Sequence, residues 1–126
     1  MEGIVPDLVL CSPAQRARET LEAIAPALGE KPEVVFEAEL YGAGTTLLIE
    51  RLRRISGDVR STMLIAHNPG IQDLALGLAG GGKQLDRLAR KYPTGALAML
   101  EFDGAWDELQ PGGAELEAFV RPKDLA

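Results

Sequence analysis

Residues 63–71, Met-Leu-Ile-Ala-His-Asn-Pro-Gly-Ile, decide the fold class of this chain. Four apolar residues lead directly into His67, the only histidine, and Asn68-Pro69-Gly70 interrupts the run before apolar residues return at helical spacing. This order predicts a buried strand, a tight turn and the start of a helix. The turn puts His67 at the carboxyl end of a strand, where ligands bind in open α/β sheets. A purely structural turn histidine is the alternative.

Short apolar runs and helical periodicity alternate along the rest of the chain, which predicts an α/β fold with a mainly parallel sheet flanked by helices. The length of 126 residues suits a single domain over 1–126. The predicted strands are Asp7–Ser12, Glu33–Phe36, Thr62–Ala66 and Thr94–Phe102, with Leu116–Val120 as a short edge strand in an irregular tail from Trp106 to Ala126. The predicted helices are Ala14–Leu28, Leu47–Ile55, Gly70–Leu78 and Leu85–Lys91.

Residues that favour caps and turns bound these segments. Ser12 is predicted to cap the first helix, with Pro13 at its first position and Gly29 as its stop. Thr45 or Thr46 is predicted to cap the second helix. The three glycines Gly80–Gly82 are predicted to form a flexible hinge or lid, because they follow a helix and lack the Lys-Ser/Thr of a phosphate loop.

Composition narrows the classes of function. The chain is 46% hydrophobic and 25% charged, with a formal net charge of −6, which argues against broad nucleic-acid binding. The sequence has no apolar run near the roughly 20 residues of a membrane span and no signal-peptide pattern, so a cytoplasmic location is expected. Cys11 is the only cysteine and lies in an apolar run, which favours a core role over a nucleophile.

Two polar clusters lie where strands are predicted to end. Residues 12–18 follow the first strand, and His67-Asn68 follows the third. Arg16 lies one turn into its helix, from where a guanidinium can hold two phosphate oxygens together with amides of the helix amino terminus. The alternative is that Arg16 and Arg18 are solvated on an exposed helix face, and Arg18 is predicted to stay on the surface.

Together the two clusters resemble a known family. Residues 12–20, SPAQRARET, resemble the "SPxxRAxxT" segment of the histidine phosphatase superfamily, and residues 66–70, AHNPG, resemble its second-histidine segment. The short chain, the Leu40-Tyr41 loop and the ending with Trp106 and residues 119–122 are similar to the SixA-like phosphohistidine phosphatases.

The resemblance implies a phosphate pocket of two arginines and two histidines that needs no metal or other cofactor. One histidine attacks phosphorus and becomes a transient phosphohistidine, while the other groups hold the phosphoryl oxygens. Arg16 matches the second arginine and His67 the second histidine, and the Asn68 amide is a further candidate donor to phosphate. The implied substrate is a phosphohistidine protein or a small phosphoester. Glu39 lies where larger members carry a proton-donating acid, with a solvated loop carboxylate as the alternative, and Tyr41 is expected to pack beside the pocket.

The resemblance fails at the nucleophile. The family's Arg-His-Gly motif precedes the "SPxxRA" segment, and nothing in Met1–Asp7 supplies it. The chain is therefore expected not to run the hydrolytic cycle unaided. The implied missing strand would lie between Asp7–Ser12 and Thr62–Ala66 and leave unpaired inner edges. The explanations are an internal methionine taken as the start of a longer protein, which is favoured, a rearranged sheet, or a strand lent by another chain.

Two further classes of function stay open at this point. One is a non-catalytic phosphate-binding module that keeps Arg16 and His67 as a weak anion site. The other is a protein-interaction module whose open strand edges pair with a partner. The sequence predicts no oligomeric state.

Overall fold

The computed structural model describes residues 6–28, 32–82, 85–92 and 97–120. These residues form two compact units, the first within 1–43 and 56–67 and the second within 44–55 and 68–126. Each unit contains a three-stranded sheet. The α/β class with mainly parallel pairing is confirmed, whereas the single domain over 1–126 stays a prediction.

The sheet of the first unit is entirely parallel. The strand β1 (Leu8–Cys11) lies in the centre, between β2 (Glu33–Phe36) and β3 (Thr62–Ile65). Every residue of β1 is buried, as expected of an apolar strand flanked on both sides. The register aligns the last residues of the three strands, so the segments that follow them leave the sheet at the same edge.

One helix packs on this sheet. The helix α1 (Gln15–Ile24) continues into a 3-10 helix, Ala25–Leu28. Its apolar residues recur at helical spacing, and Ala17, only 3% exposed, is small enough for the helix to lie close to the strands. The core between this helix and the sheet includes Val9, Cys11, Ala17 and Ile65, with Leu21, Ile24 and Met63 packed against them.

The second unit contains the remaining helices and a mixed sheet. Its helices are α2 (Thr45–Arg53), α3 (Gly70–Leu78) and α4 (Leu85–Arg90), and its strands are β4 (Ala79–Gly82), β5 (Leu97–Glu101) and β6 (Ala114–Val120). In this sheet β6 is central, parallel to β4 and antiparallel to β5. Its core includes Ala75, Leu88, Leu116 and Phe119.

The predicted gap between β1 and β3 is wrong. The two strands pair directly in parallel from Leu8 opposite Thr62 to Cys11 opposite Ile65. The N–H of Ser12 extends the ladder with a 2.9 Å hydrogen bond to the Ile65 carbonyl. These bonds satisfy the backbone groups that were expected to be open, so the cost of leaving them unpaired does not arise here. Strand order depends on nonlocal pairing, which the hydrophobicity of each strand does not encode.

Both predicted helix caps are also wrong. The helix α1 begins at Gln15 with Ala14 at its capping position, where no side chain of the described residues caps it. The Ser12 hydroxyl instead accepts a hydrogen bond from the Ala14 N–H at 3.3 Å. The helix α2 begins at Thr45 itself, so the predicted threonine caps lie inside the helix. Gly29, the predicted stop of α1, lies outside the described residues.

The prediction of a hinge at the three glycines of the second unit is wrong. The predicted hinge Gly80–Gly82 is part of β4, because its glycines let another backbone come very close. A Cβ added at Gly80 would collide with the Gly112 carbonyl oxygen. The predicted edge strand 116–120 is also wrong, since β6 begins at Ala114 and lies between β4 and β5.

We expect Gly82→Ala to destabilise the protein by about 2–5 kcal/mol. Gly82 has φ of +128°, and a Cβ there would collide with the Leu116 backbone, so strain and overpacking add. Gly81→Ala in the same strand is the matched control, because a Cβ at Gly81 meets nothing within 4 Å. Urea unfolding measures both variants. Equal free energies of unfolding for the two would contradict the close approach of β4 to β6.

Candidate functional site

The site is built where β1 and β3 end side by side. Ser12 follows β1 directly and His67 lies two residues beyond β3. The Ser12 Oγ and the His67 Nε2 are 2.7 Å apart, a short hydrogen bond between residues 55 positions apart in the chain. The aligned strand ends therefore join the two polar clusters that the sequence singled out.

Ser12 is buried and makes several hydrogen bonds at this edge of the sheet. It is 0% exposed, and its N–H donates to the Ile65 carbonyl. Its Oγ accepts the Ala14 N–H, and its carbonyl accepts from the Cys11 thiol at 3.2 Å. The N–H, the carbonyl and the hydroxyl of this buried residue therefore all have hydrogen-bond partners, as expected of a buried polar group.

Tyr41 contacts the His67 ring and is itself largely exposed. Its ring packs edge-on against the His67 ring, with centroids 5.1 Å apart and an interplanar angle of 69°. Tyr41 is 69% exposed, which leaves most of its surface open beside the imidazole. Tyr41 thus contacts His67, as expected of a residue beside the site, whereas the phosphate pocket itself stays a prediction.

The two arginines of α1 differ in their surroundings. Arg16 is exposed in the first turn, and its carbonyl accepts the Thr20 hydroxyl at 3.0 Å. Arg18 is exposed as predicted, and its guanidinium carbon lies 5.2 Å from the centre of the Phe36 ring. Arg16 thus follows Ser12 by four residues in the chain, and its side chain is exposed. The convergence of its guanidinium with His67 on one anion stays a prediction.

Asn68 and Glu39 stay predictions as site residues. Asn68 lies at the start of the second unit, where its side-chain amide donates to the Tyr92 carbonyl at 2.7 Å. This bond links Asn68 to the segment that follows α4 and engages one of its two amide hydrogens. Glu39 is exposed in a 3-10 helix, Ala38–Leu40.

Cys11 is a core residue, as predicted. It is 0% exposed, and burial raises the pKa of its thiol above 9.0, while the nearby positive charge of Arg18 acts in the opposite direction. A thiol is nucleophilic as the thiolate, so a raised pKa disfavours the reactive form at neutral pH.

Sequence reasoning missed the contact between Ser12 and His67. It gave Ser12 only the role of a helix cap. The signal that could have found the contact is position: two polar residues that directly follow neighbouring parallel strands meet at one edge. Using it requires knowing that β1 and β3 are neighbours.

The described residues contain neither a candidate metal site nor a candidate membrane-spanning helix. Within residues 6–28, 32–82, 85–92 and 97–120, no group of three or more His, Cys, Asp or Glu side chains could hold a metal ion. None of the helices in the described part of the chain combines the length and apolar character needed to cross a membrane.

Sequence comparison finds relatives whose activity is not described. No family model matches the sequence. An uncharacterized protein of Mycobacterium leprae is 37% identical over 118 residues, which cover 91% of this chain and 71% of the relative. An uncharacterized protein of Mycobacterium tuberculosis (strain CDC 1551 / Oshkosh) is 33% identical over 121 residues, covering 93% of this chain and 74% of the relative.

Comparison with solved structures finds proteins to which a class of activity is assigned. The protein assigned as phosphohistidine phosphatase SixA from Nakamurella multipartitia has a TM-score of 0.79 at 29% identity, over 94% of this chain and 72% of that one. The protein so assigned from Agrobacterium tumefaciens has a TM-score of 0.70 at 27% identity, over 93% and 68%. A protein histidine phosphatase SixA complexed with tungstate has a TM-score of 0.75 at 22% identity, over 98% and 73%, a likeness of fold.

We expect the free energy of unfolding to fall as pH rises above about 9. The folded pKa values of Cys11 and Tyr92 are both raised by burial, so the unfolded chain loses these protons first and alkali favours unfolding. Their contribution is complete below the unfolded pKa values and is lost as pH rises through the folded ones. Urea midpoints at pH 7 to 11 measure the slope, which Cys11→Ala and Tyr92→Phe should each reduce. Unchanged slopes in both variants would contradict this assignment.

Proposed function

Because the chain belongs to the SixA-like histidine phosphatase family, we propose that Arg16 and His67 form the phosphate-binding part of a phosphohistidine phosphatase-type active site. The observation that carries the proposal is the 2.7 Å bond between Ser12 and His67. It joins the two segments that resemble the family's motifs at the carboxyl edge of a parallel sheet. That edge is where open α/β sheets bind ligands.

Arg16 is proposed to clamp the phosphoryl group. Its planar guanidinium presents two donors in a geometry that fits two phosphate oxygens, and it stays positively charged at working pH. The side chain is exposed and lies in the first turn of α1, whose leading N–H groups lack carbonyl partners within the helix. These amides and the guanidinium both contribute positive potential near the amino terminus of α1.

His67 is proposed to hydrogen-bond the phosphoryl oxygens in the transition state. Phosphoryl transfer spreads negative charge over the equatorial oxygens, and donors fixed in advance stabilise that charge without having to reorganise. Ser12 and Tyr41 both contact the imidazole and limit its orientation. Asn68 is retained as an additional candidate donor, through the amide hydrogen that does not bond Tyr92.

The proposed parent reaction is hydrolysis of a phosphohistidine on a protein or of a small phosphoester. The structural neighbours with 27–29% identity are assigned as phosphohistidine phosphatases. The exposure of Tyr41 beside His67 supports a site open enough to admit a protein side chain. The single cysteine supports a cytoplasmic location, since it allows no intramolecular disulfide.

A second candidate, phosphate binding without turnover, is favoured by the histidine count. The family's cycle uses one histidine as nucleophile and another as oxygen ligand, and this sequence contains only His67. Residues 1–126 alone are therefore proposed to bind the phosphoryl group and to lack the covalent step. The protein-interaction alternative loses its main support, because the expected open edges of β1 and β3 pair with each other.

We expect Arg16→Ala to weaken the binding of tungstate or inorganic phosphate by about 10- to 100-fold. This matches the loss of charge-assisted hydrogen bonds worth about 1.5–3 kcal/mol. Isothermal titration calorimetry on the purified chain measures the dissociation constants. Arg18→Ala is the matched control, because it removes the same charge from the same helix and should change affinity by less than about 3-fold. Equal losses in the two variants would show general charge attraction and refute the clamp.

We expect the purified 126-residue chain to show no His67-dependent phosphatase turnover. With one histidine, the nucleophile and the oxygen ligand cannot both be supplied. Release of phosphate from a phosphohistidine peptide and from p-nitrophenyl phosphate measures turnover, and tungstate binding by the same preparation shows that the site is folded. Turnover that His67→Ala abolishes would overturn this proposal.

A further inference from the structure

The Ser12 hydroxyl carries one proton, and the partners of its oxygen decide to which group that proton is donated. The group is 0% exposed, so water does not satisfy it. Among the described residues its oxygen has two partners, the Ala14 N–H at 3.3 Å and the His67 Nε2 at 2.7 Å. The Ala14 amide is a donor only. The hydroxyl proton therefore has one acceptor in this part of the chain, the ring nitrogen of His67.

We infer that Ser12 is a positioning residue that donates its hydroxyl proton to Nε2 and thereby holds neutral His67 in the tautomer that carries its proton on Nδ1. A buried hydroxyl that donates to nothing is costly, and the reverse arrangement would leave Ser12 with two donors to accept and no acceptor for its own proton. A neutral imidazole has one N–H and one lone pair, so occupying the lone pair at Nε2 fixes the proton at Nδ1.

The tautomer decides what His67 does in the site. Its Nε2 lone pair is engaged by Ser12, and its Nδ1 carries a proton. Neither nitrogen then offers a free lone pair to phosphorus, whereas Nδ1–H is a donor suited to a phosphoryl oxygen. Ser12 thus makes His67 an oxygen ligand and not a nucleophile. This functional consequence rests on the proposed function, while the tautomer itself does not.

Ser12 and Tyr41 act on the ring in complementary ways. The hydrogen bond from Ser12 fixes the direction in which Nε2 points, and the edge-on contact with Tyr41 restricts rotation of the ring plane. Nδ1 has no hydrogen-bond partner among the described residues and is the ring nitrogen that we expect a ligand to meet. Preorganisation of this kind lowers the entropy lost when an oxyanion binds.

The single histidine makes the test direct. In uniformly ¹⁵N-labelled protein at about pH 8.5, where imidazole side chains are neutral, long-range ¹H–¹⁵N correlation spectra contain one imidazole system. We expect the wild-type chain to show an N–H-type resonance at Nδ1 and an unprotonated resonance at Nε2. A wild-type spectrum with the proton on Nε2 overturns the inference, and this measurement needs no variant.

Two serine variants separate positioning from general structure. In Ser12→Ala we expect the Nε2–H tautomer to become populated and tungstate affinity to fall by about 2- to 10-fold. The matched control is Ser56→Ala, because the Ser56 Oγ also accepts the N–H of the residue two positions on, from Asp58 at 3.3 Å. Within the described residues Ser56 makes no hydrogen bond to a histidine. Ser56→Ala should change neither readout. An unchanged tautomer in Ser12→Ala overturns the inference.

The outcomes keep the two proposals apart. A wild-type Nδ1–H tautomer that Ser12→Ala removes supports the positioning role, even if the chain fails to bind tungstate, in which case the proposed function is refuted. Tungstate binding that depends on Arg16 together with a wild-type Nε2–H tautomer supports the proposed function and overturns the role of Ser12.

Discussion

The parallel ladder between β1 and β3 sets the distance between the two chemically important segments of the first unit. Its four paired positions place the last residues of the two strands side by side. The further hydrogen bond from the Ser12 N–H to the Ile65 carbonyl fixes where the chain leaves β1. The Ser12 hydroxyl and the His67 ring then need only short segments to meet. A shift of one residue in this register would move every side chain of β3 to the opposite face and break the contact.

Local sequence predicted the elements better than their arrangement. The bounds of β2 and α3 are as predicted, because each is a short apolar-patterned run that directly follows a proline, Pro32 or Pro69. The glycines of β4 failed, since their value lies in the close approach of a distant backbone, which glycine preference for turns does not reveal. The position of β6 in the centre of its sheet failed for the same reason: pairing partners are nonlocal. For the candidate site, His67 and its strand-end position were predictable, whereas Ser12 required the order of the strands.

The net charge of −6 bears on how the site can attract a phosphorylated ligand. At physiological ionic strength, charges more than about 8 Å away are largely screened, so the acidic surface has little influence on an anion already in the site. In the proposed site the balance between attraction and repulsion of an anion is set locally, by the exposed Arg16 and by donors at the strand ends. Arg18 is close in sequence but has the Phe36 ring as a neighbour, which gives its charge a different partner. A basic protein surface is therefore not required for the proposed phosphate recognition, which would depend on few side chains.

Binding an oxyanion and attacking phosphorus place opposite demands on an imidazole. A ligand for phosphoryl oxygens must present an N–H, while a nucleophile must present a lone pair, and one neutral ring in contact with a buried hydroxyl cannot present both toward the same group. The buried Ser12 settles this competition for His67 before any ligand arrives, because the ring would have to give up its partner in order to change role. In the proposed parent reaction, a ring that is fixed as a donor is for that reason poorly suited to attack, so a second ring would have to supply the lone pair.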